Sequence, residues 1–429
     1  ENQQALIFER FKRAEGVSLP KGQTSSGLGL SIVKMFVEAM GGSVDVTSVD
    51  GGTATGIGGT FTSIGNIAGG SQDDSVTLNG GTLSDSLDGG AGGTNSLTLD
   101  NVANSVTVDG TDTGDATGIT NGFSNVGNIT GNADSDSFTI GSGATLSGDL
   151  DGAGGSDILS QTDGANALLV DVDNGGTVTD VSGRFSNIES LAGGSGEDTF
   201  TLDGGTLAGS VDGGAGGTDT LNLDDSIASV EVTGGDSGTA TGLGAGFTAV
   251  GNINGGDADD SFDFNGGTLS GALDGGAGGN SVTLDDGGSS VEVIGADSGT
   301  TAAITGGFSN VGSFNGGTGD DSFVISSGNL SGSVDGVGGN DTLENTTGAN
   351  TFDLTGANSG EMTDLGDGFS NVETLQGGTG EDAFNIESAG SLSGLIDGGD
   401  GANTINQDDD GVTFTVTGSN AGATDDIAG

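Results

Sequence analysis

A unit of about 62 residues copied six times constrains this chain more than any other feature. The run Phe185-Ser186-Asn187-Ile188-Glu189-Ser190-Leu191, followed by Gly193-Gly194, recurs with small changes from Phe61, Phe123, Phe247, Phe308 and Phe369. The steps between those phenylalanines are 62, 62, 62, 61 and 61 residues. So regular a period marks an array of like structural units. Within each block, apolar residues alternate with small polar ones over short runs such as Thr199-Phe200-Thr201-Leu202, bounded by Gly and Asp. That is the pattern of half-buried strands. Helix competes poorly, because each Gly costs it roughly 1 kcal/mol and 94 of the 429 residues are Gly.

The pattern predicts an all-β chain. Its architecture is a parallel β-solenoid, a β-helix or β-roll, with coils of about 20 to 22 residues and three coils per repeat. The repeat phenylalanines belong to its core. The asparagines two places after them, Asn125, Asn187, Asn310 and Asn371, admit two readings: an inward ladder by strand periodicity, or turn residues facing water.

Charge divides the chain. Residues 1–42 hold five of the six basic side chains against four Glu, a balance of +1, whereas residues 43–429 hold 58 acidic groups and Arg184 alone, a balance of −57. The first stretch predicts a short helical segment, with Leu28, Ile32, Val33, Phe36, Val37 and Met40 on one face and Gly41-Gly42 as the stop. The second is an acidic repeat domain. About nineteen coils at roughly 4.8 Å each make a rod near 90 Å long, whose linear charge density approaches that of duplex DNA. Such a surface gathers counter-ions and repels nucleic acid and anionic membrane. With no Cys and no His, neither a disulfide, a thiolate or imidazole metal site, nor the commonest general base is available. No apolar run is long enough for a membrane-spanning helix. The chain starts at Glu1 and stops within a repeat at Gly429, which reads as a fragment of something longer.

Within residues 1–42, Ile7-Phe8-Glu9-Arg10-Phe11 is followed by Ser26-Gly27-Leu28-Gly29-Leu30-Ser31-Ile32-Val33-Lys34. This resembles the end of a sensor histidine kinase ATP-binding domain, with its phenylalanine box and second glycine box in order. The resemblance implies an ATP lid between them, with Gly27, Leu28 and Gly29 approaching the phosphates of ATP held with Mg²⁺. The family's asparagine box, first glycine box and phosphoacceptor His are absent from the chain. Ser43-Val44-Asp45-Val46-Thr47 continues that family's pattern and equally matches Ser229-Val230-Glu231-Val232-Thr233 three periods on. Two unrelated sequences therefore meet where they are alike, as a recombination event or a wrongly joined sequence would produce.

The repeats carry a second resemblance. Gly193-Gly194-x-Gly196-x-Asp198-x-Phe200 and its counterparts ending at Asp321 and Asp382 fit the calcium nonapeptide of RTX proteins, and looser versions end at Asp74, Asp136 and Asp260. A second series, 20 to 22 residues later, presents Asp157, Asp219 and Asp341, with Asn95, Asn280 and Asn403 in the other copies. The resemblance implies Ca²⁺ held by these nine aspartates and turn carbonyls, a hard-oxygen set that suits the ion. The alternative is that Gly and Asp serve only as turn residues.

Three functional classes follow. The first is a non-enzymatic, secreted or cell-surface rod resembling the repeat regions of bacterial adhesins and RTX-like proteins, with calcium ions and a surface glycan or protein receptor as partners. The second is a cytoplasmic sensor histidine kinase fragment carrying a repeat region. The third, a polysaccharide-cleaving enzyme, needs paired carboxylates at one unrepeated place. The receptor and the oligomeric state are not legible here.

Overall fold

A computed structural model of the chain describes residues 51–53, 60–408, 415–418 and 421–423. The helix expected across 28–40 and the lid residues Gly27, Leu28 and Gly29 lie outside these residues. The chain divides into two compact units, residues 1–195 and 196–429. Among the described residues the regular structure is all strand, and most strand pairs are parallel, which is the expected β-solenoid.

In the first unit the strands belong to two sheets that the chain visits in turn. One sheet stacks Ser75–Thr77, Ser96–Thr98, Asn128–Asn132, Leu150–Ala153 and Val181–Ser186 in parallel. The other runs through Ser105–Gly110, Ser137–Ile140, Ile158–Gln161 and Ser190–Ala192. Because strand side chains alternate between faces, one residue in two turns inward. The inward residues fall in register as apolar columns: Leu97, Ile129, Leu150 and Phe185 in one sheet, Val106, Phe138, Leu159 and Leu191 in the other. All eight are buried. The second unit repeats the scheme, with Phe200, Leu221, Ile253, Leu273 and Phe308 in one column and Val230, Phe262, Val282, Phe314, Val334 and Phe369 in the other. The Phe308 and Phe314 rings meet edge to face at 4.8 Å across the interior.

The spacing departs from a uniform coil of about 20 to 22 residues. Ile129 to Leu150 is such a step, but Leu97 to Ile129 spans 32 residues and Leu150 to Phe185 spans 35. The cause is a double hairpin in each block. Ala167–Val172 pairs antiparallel with Gly175–Val178, which pairs antiparallel with Val181–Ser186. The sequence beyond Gly235, expected to be a third coil, is the same device: Ser229–Gly234, Ser237–Ala240 and Gly246–Thr248 fold back within one sheet. Each block thus supplies seven strands, from Ile119–Ser124 to Gly175–Val178 in the first unit and from Gly246–Thr248 to Ser298–Thr301 in the second. The pair Gly51–Thr53 with Thr60–Thr62 sets Gly52 opposite Phe61, the pairing also seen for Gly176 with Phe185 and Gly238 with Phe247.

A glycine is required at the centre of the fold-back. A Cβ on Gly176 would lie 1.7 Å from the Leu169 carbonyl oxygen and 3.1 Å from Cζ of Phe185. On Gly299 it would lie 2.0 Å from the Glu292 carbonyl and 2.8 Å from Cζ of Phe308. The bare backbone is therefore the floor on which the repeat phenylalanine lies, a known way of covering strand glycines with aromatic rings. The phenylalanines are core as expected: Phe123, Phe185, Phe247, Phe308 and Phe369 are all buried.

Of the two readings for the asparagines, the outward one holds. Asn125, Asn187, Asn310 and Asn371 have φ of 55°, 50°, 54° and 51°, the left-handed turn conformation that Asn tolerates. Their Nδ2 atoms donate to Oδ1 of Asp88, Asp151, Asp274 and Asp335 at 2.6–2.7 Å. The bond from Asn125 holds the Asp88 carboxyl below its ordinary pKa. We expect Asn187→Ala to cost about 1 kcal/mol through φ strain and the lost bond. Asn187→Gly, which removes the strain, should cost less, with urea unfolding followed by circular dichroism as the measurement.

Candidate functional site

The acidic residues singled out from sequence sit at the starts of strands. Since parallel strands begin at the same level, these residues stack. In the first unit, the Asn104 amide donates to Asp136 Oδ1 at 2.7 Å, the Asp136 amide to Asp157 Oδ1 at 2.7 Å, and the Asp157 amide to Glu189 Oε2 at 2.7 Å. The second unit contains the same column. The Ser289 amide donates to Asp321 Oδ1 at 2.7 Å, the Asp321 amide to Asp341 Oδ1 at 2.8 Å, and the Asp341 amide to Glu373 Oε2 at 2.9 Å. Shorter runs link Ala228, Asp260 and Asn280, Asn350, Asp382 and Asn403, Asp198 and Asp219, and Asp74 and Asn95. Each carboxylate thus binds the main chain of the rung before it.

The two aspartate series differ at the second oxygen. In four of the six copies of the first series, Oδ2 reaches back four residues within its own turn, whereas Asp321 Oδ2 is buried without a hydrogen-bond partner. Asp74 takes the Gly70 amide at 2.6 Å, Asp136 the Asn132 amide at 2.9 Å, Asp260 the Gly256 amide at 3.0 Å and Asp382 the Gly378 amide at 3.2 Å. Two N–H donors require two acceptors, and only a carboxylate offers both on one short side chain. All six copies carry Asp there. In the second series Oδ1 accepts an amide in each copy, Oδ2 of Asp157 and Asp341 has no partner, and the copies are divided between Asp and Asn.

Burial accompanies this geometry. Asp136, Asp157, Asp198, Asp219, Asp260, Asp321, Asp341 and Asp382 are all at most 3 % exposed, and only Asp74 is half-buried. Burial, the largest effect, pushes Asp157 up to about 6; the Glu189, Asp136 and Asp151 charges add to it, against the lowering influence of the Asp136 amide. Asp341 is likewise pushed up to about 6 by burial, with Asp321, Glu373 and Asp320 adding. Burial also raises Asp219 and Asp321.

This column does not fit calcium. The ion takes roughly six to eight oxygens in an open shell, whereas these carboxylates point inward and give at least one oxygen to a backbone amide. Among the described residues, no group of three or more acidic side chains is arranged to hold a metal ion. The resemblance to the nonapeptide is met here by a main-chain role: the glycines make room and the aspartate ties rung to rung. A Cβ on Gly131 would lie 2.3 Å from Asp136 Oδ2 and 2.6 Å from the Gly152 carbonyl oxygen.

Two participants escaped the reading from sequence. Glu189 and Glu373 stand where the other copies have Gly65, Gly127, Gly251 and Gly312, and they close the columns above Asp157 and Asp341. Asn174 Nδ2 steadies Glu189 at 3.0 Å and Asn358 Nδ2 steadies Glu373 at 2.7 Å. The signal was their departure from glycine in two of the three copies where an aspartate lies below, the third having Gly251 above Asp219. A separate hollow of about 450 Å³ in the second unit is lined by Asp353, Glu361 and Asp367 with Met362 and Leu365. Asp353 there accepts from Asn385 Nδ2 at 2.6 Å, while Glu361 and Asp367 face water.

Residues 1–63 match the family of histidine kinase-, DNA gyrase B-, and HSP90-like ATPases. No curated protein matches the chain. The family match supports the kinase-like reading of the first segment and runs on as far as the strand Thr60–Thr62, so it overlaps the earliest copy of the repeat hairpin.

Proposed function

We propose that the repeat region is a non-enzymatic structural scaffold of the secreted or cell-surface, adhesin type, presenting acidic turns to a glycan or protein receptor outside the cell. The observation that supports this most is what the buried acids do. They are spent on the amides of neighbouring rungs in copy after copy, a use that builds a scaffold. Calcium enters this reading as a counter-ion drawn by the exposed carboxylates, of which the chain's net charge of −56 provides many. The expected result with the whole chain is weak calcium uptake that fades as salt is raised. Tight stoichiometric uptake insensitive to salt would reinstate discrete sites. Fractionation of the source cells should place the chain outside; recovery from the cytoplasm would overturn the proposal.

A second reading rests on the family match over residues 1–63: a histidine kinase fragment that carries the repeats as an appendage. Titration of the whole chain with ATP and Mg²⁺ separates the two. The scaffold reading expects no saturable binding, and the kinase reading expects it.

A further inference from the structure

The second-series position takes Asn in some copies and Asp in others, and the backbone around it is the same in both. In the Asn copies the chemistry is complete. Asn95 Oδ1 accepts the Asp74 amide at 2.9 Å while Nδ2 donates to the Asn125 carbonyl at 2.8 Å. Asn280 Oδ1 accepts the Asp260 amide at 2.9 Å while Nδ2 donates to the Asn310 carbonyl at 2.9 Å. In the Asp copies Oδ1 keeps its role, taking the amides of Asp136, Asp198 and Asp321. Oδ2 then occupies the place of the donor nitrogen. A Cβ on Gly89 would lie 2.1 Å from the Asn125 carbonyl oxygen and 2.8 Å from Asn95 Nδ2. On Gly152 it would lie 2.1 Å from the Asn187 carbonyl oxygen and 2.5 Å from Asp157 Oδ2; on Gly213, 2.1 Å from the Ala249 carbonyl and 2.6 Å from Asp219 Oδ2; on Gly336, 2.1 Å from the Asn371 carbonyl and 2.3 Å from Asp341 Oδ2. An acceptor faces an acceptor where Asn95 and Asn280 place a donor; the Oδ2 atoms of Asp157 and Asp341 are buried without a hydrogen-bond partner, as is that of Asp321 in the first series.

We propose that Asp157, Asp219 and Asp341 are proton-binding sites: each folds as a carboxylic acid whose Oδ2–H donates to the carbonyl oxygen of Asn187, Ala249 or Asn371. The proton does for these copies what the amide does for Asn95 and Asn280. Every titratable group facing them is acidic. Asp136, Glu189 and Asp151 surround Asp157; Asp198, Asp212 and Glu197 surround Asp219; Asp321, Glu373 and Asp320 surround Asp341. Among the described residues, no cation is one of these neighbours. The raised pKa of about 6 at Asp157 and Asp341 agrees with the geometry.

The linkage has a definite sign. A carboxyl with a folded pKa above its unfolded value near 4 binds a proton on folding. Its contribution is fully present below the unfolded pKa and is lost as pH rises through about 6. The whole chain should therefore gain thermal stability on acidification from pH 7.5 to 5.5, a range that spans that pKa. The test is the triple variant D157N/D219N/D341N, compared with the parent across that range. The expected result is a higher Tm for the variant near neutrality, by about 2–4 °C per substitution, and a flattened pH dependence. In the parent, infrared spectroscopy should show a protonated carboxyl band that the variant lacks. A variant that is less stable at every pH, or an unchanged pH profile, overturns the proposal. So does stabilisation of the parent by Ca²⁺ rather than by acid, if that effect disappears in the variant.

Discussion

Phe352→Ala is expected to destabilise the second unit by about 3–5 kcal/mol, the usual loss when a buried aromatic is cut to a methyl. Phe352 is wholly buried and stacks on Phe384 with ring centroids 4.7 Å apart and planes 8° from parallel. That centroid distance is the spacing between adjacent strands, so the ring loses both its neighbour and the column above it. Its antiparallel partner is the buried Met362, and Gly360, opposite Leu354, has no side chain to fill the void. Phe352→Leu should cost less, since it retains most of the buried volume. Urea unfolding monitored by circular dichroism measures both, and a loss under 1 kcal/mol for the alanine variant would mean that the column is not the core.

Asp136→Ala should be nearly as damaging although it removes a charge from a highly acidic protein. Its carboxylate accepts the Asn104 amide, the Asn104 side-chain Nδ2 at 2.8 Å and the Asn132 amide. Three donors are left without that acceptor, at about 1–3 kcal/mol for each that stays buried. A loss of about 3–5 kcal/mol is expected, allowing for water reaching one of them. Asp136→Asn is the sharper probe, because an NH₂ would face an N–H where the second-series positions present a carbonyl. It should destabilise, in the opposite sense to Asp157→Asn one rung on. Equal behaviour of the two substitutions would show that their partners do not differ as the hydrogen bonds indicate.

The solenoid was legible because alternation and period are local properties. Thr199-Phe200-Thr201-Leu202 names its own buried face, and six phenylalanines at near-constant steps name the stacking. The fold-back at Gly235 was not legible. A hairpin and a coil both read as two short apolar runs with Gly between them, and only the pairing of Gly238 with Phe247 separates them. The aspartates were found, but their main-chain partners were not. Gly-rich turns with Asp are written alike whether the carboxylate turns out to an ion or in to an amide. What decides is the Cβ-free space beside Gly131 and Gly152, which is a property of the assembled rungs. The division of the second series between Asp and Asn was visible in the sequence, and it is the clue to which oxygen lacks a donor.

The odd number of strands per block has a consequence for how such a chain can lengthen. With seven strands shared between two sheets, the double hairpin at 167–186 lies in the opposite sheet from that at 105–124, and those at 229–248 and 290–309 alternate likewise. Deleting one block from within a unit would transfer every later motif of that unit to the other side, whereas deleting two would restore each to its own side. Duplication or loss in pairs is then the neutral step for any partner that grips one flank, and single-block variants should lose that grip while folding normally.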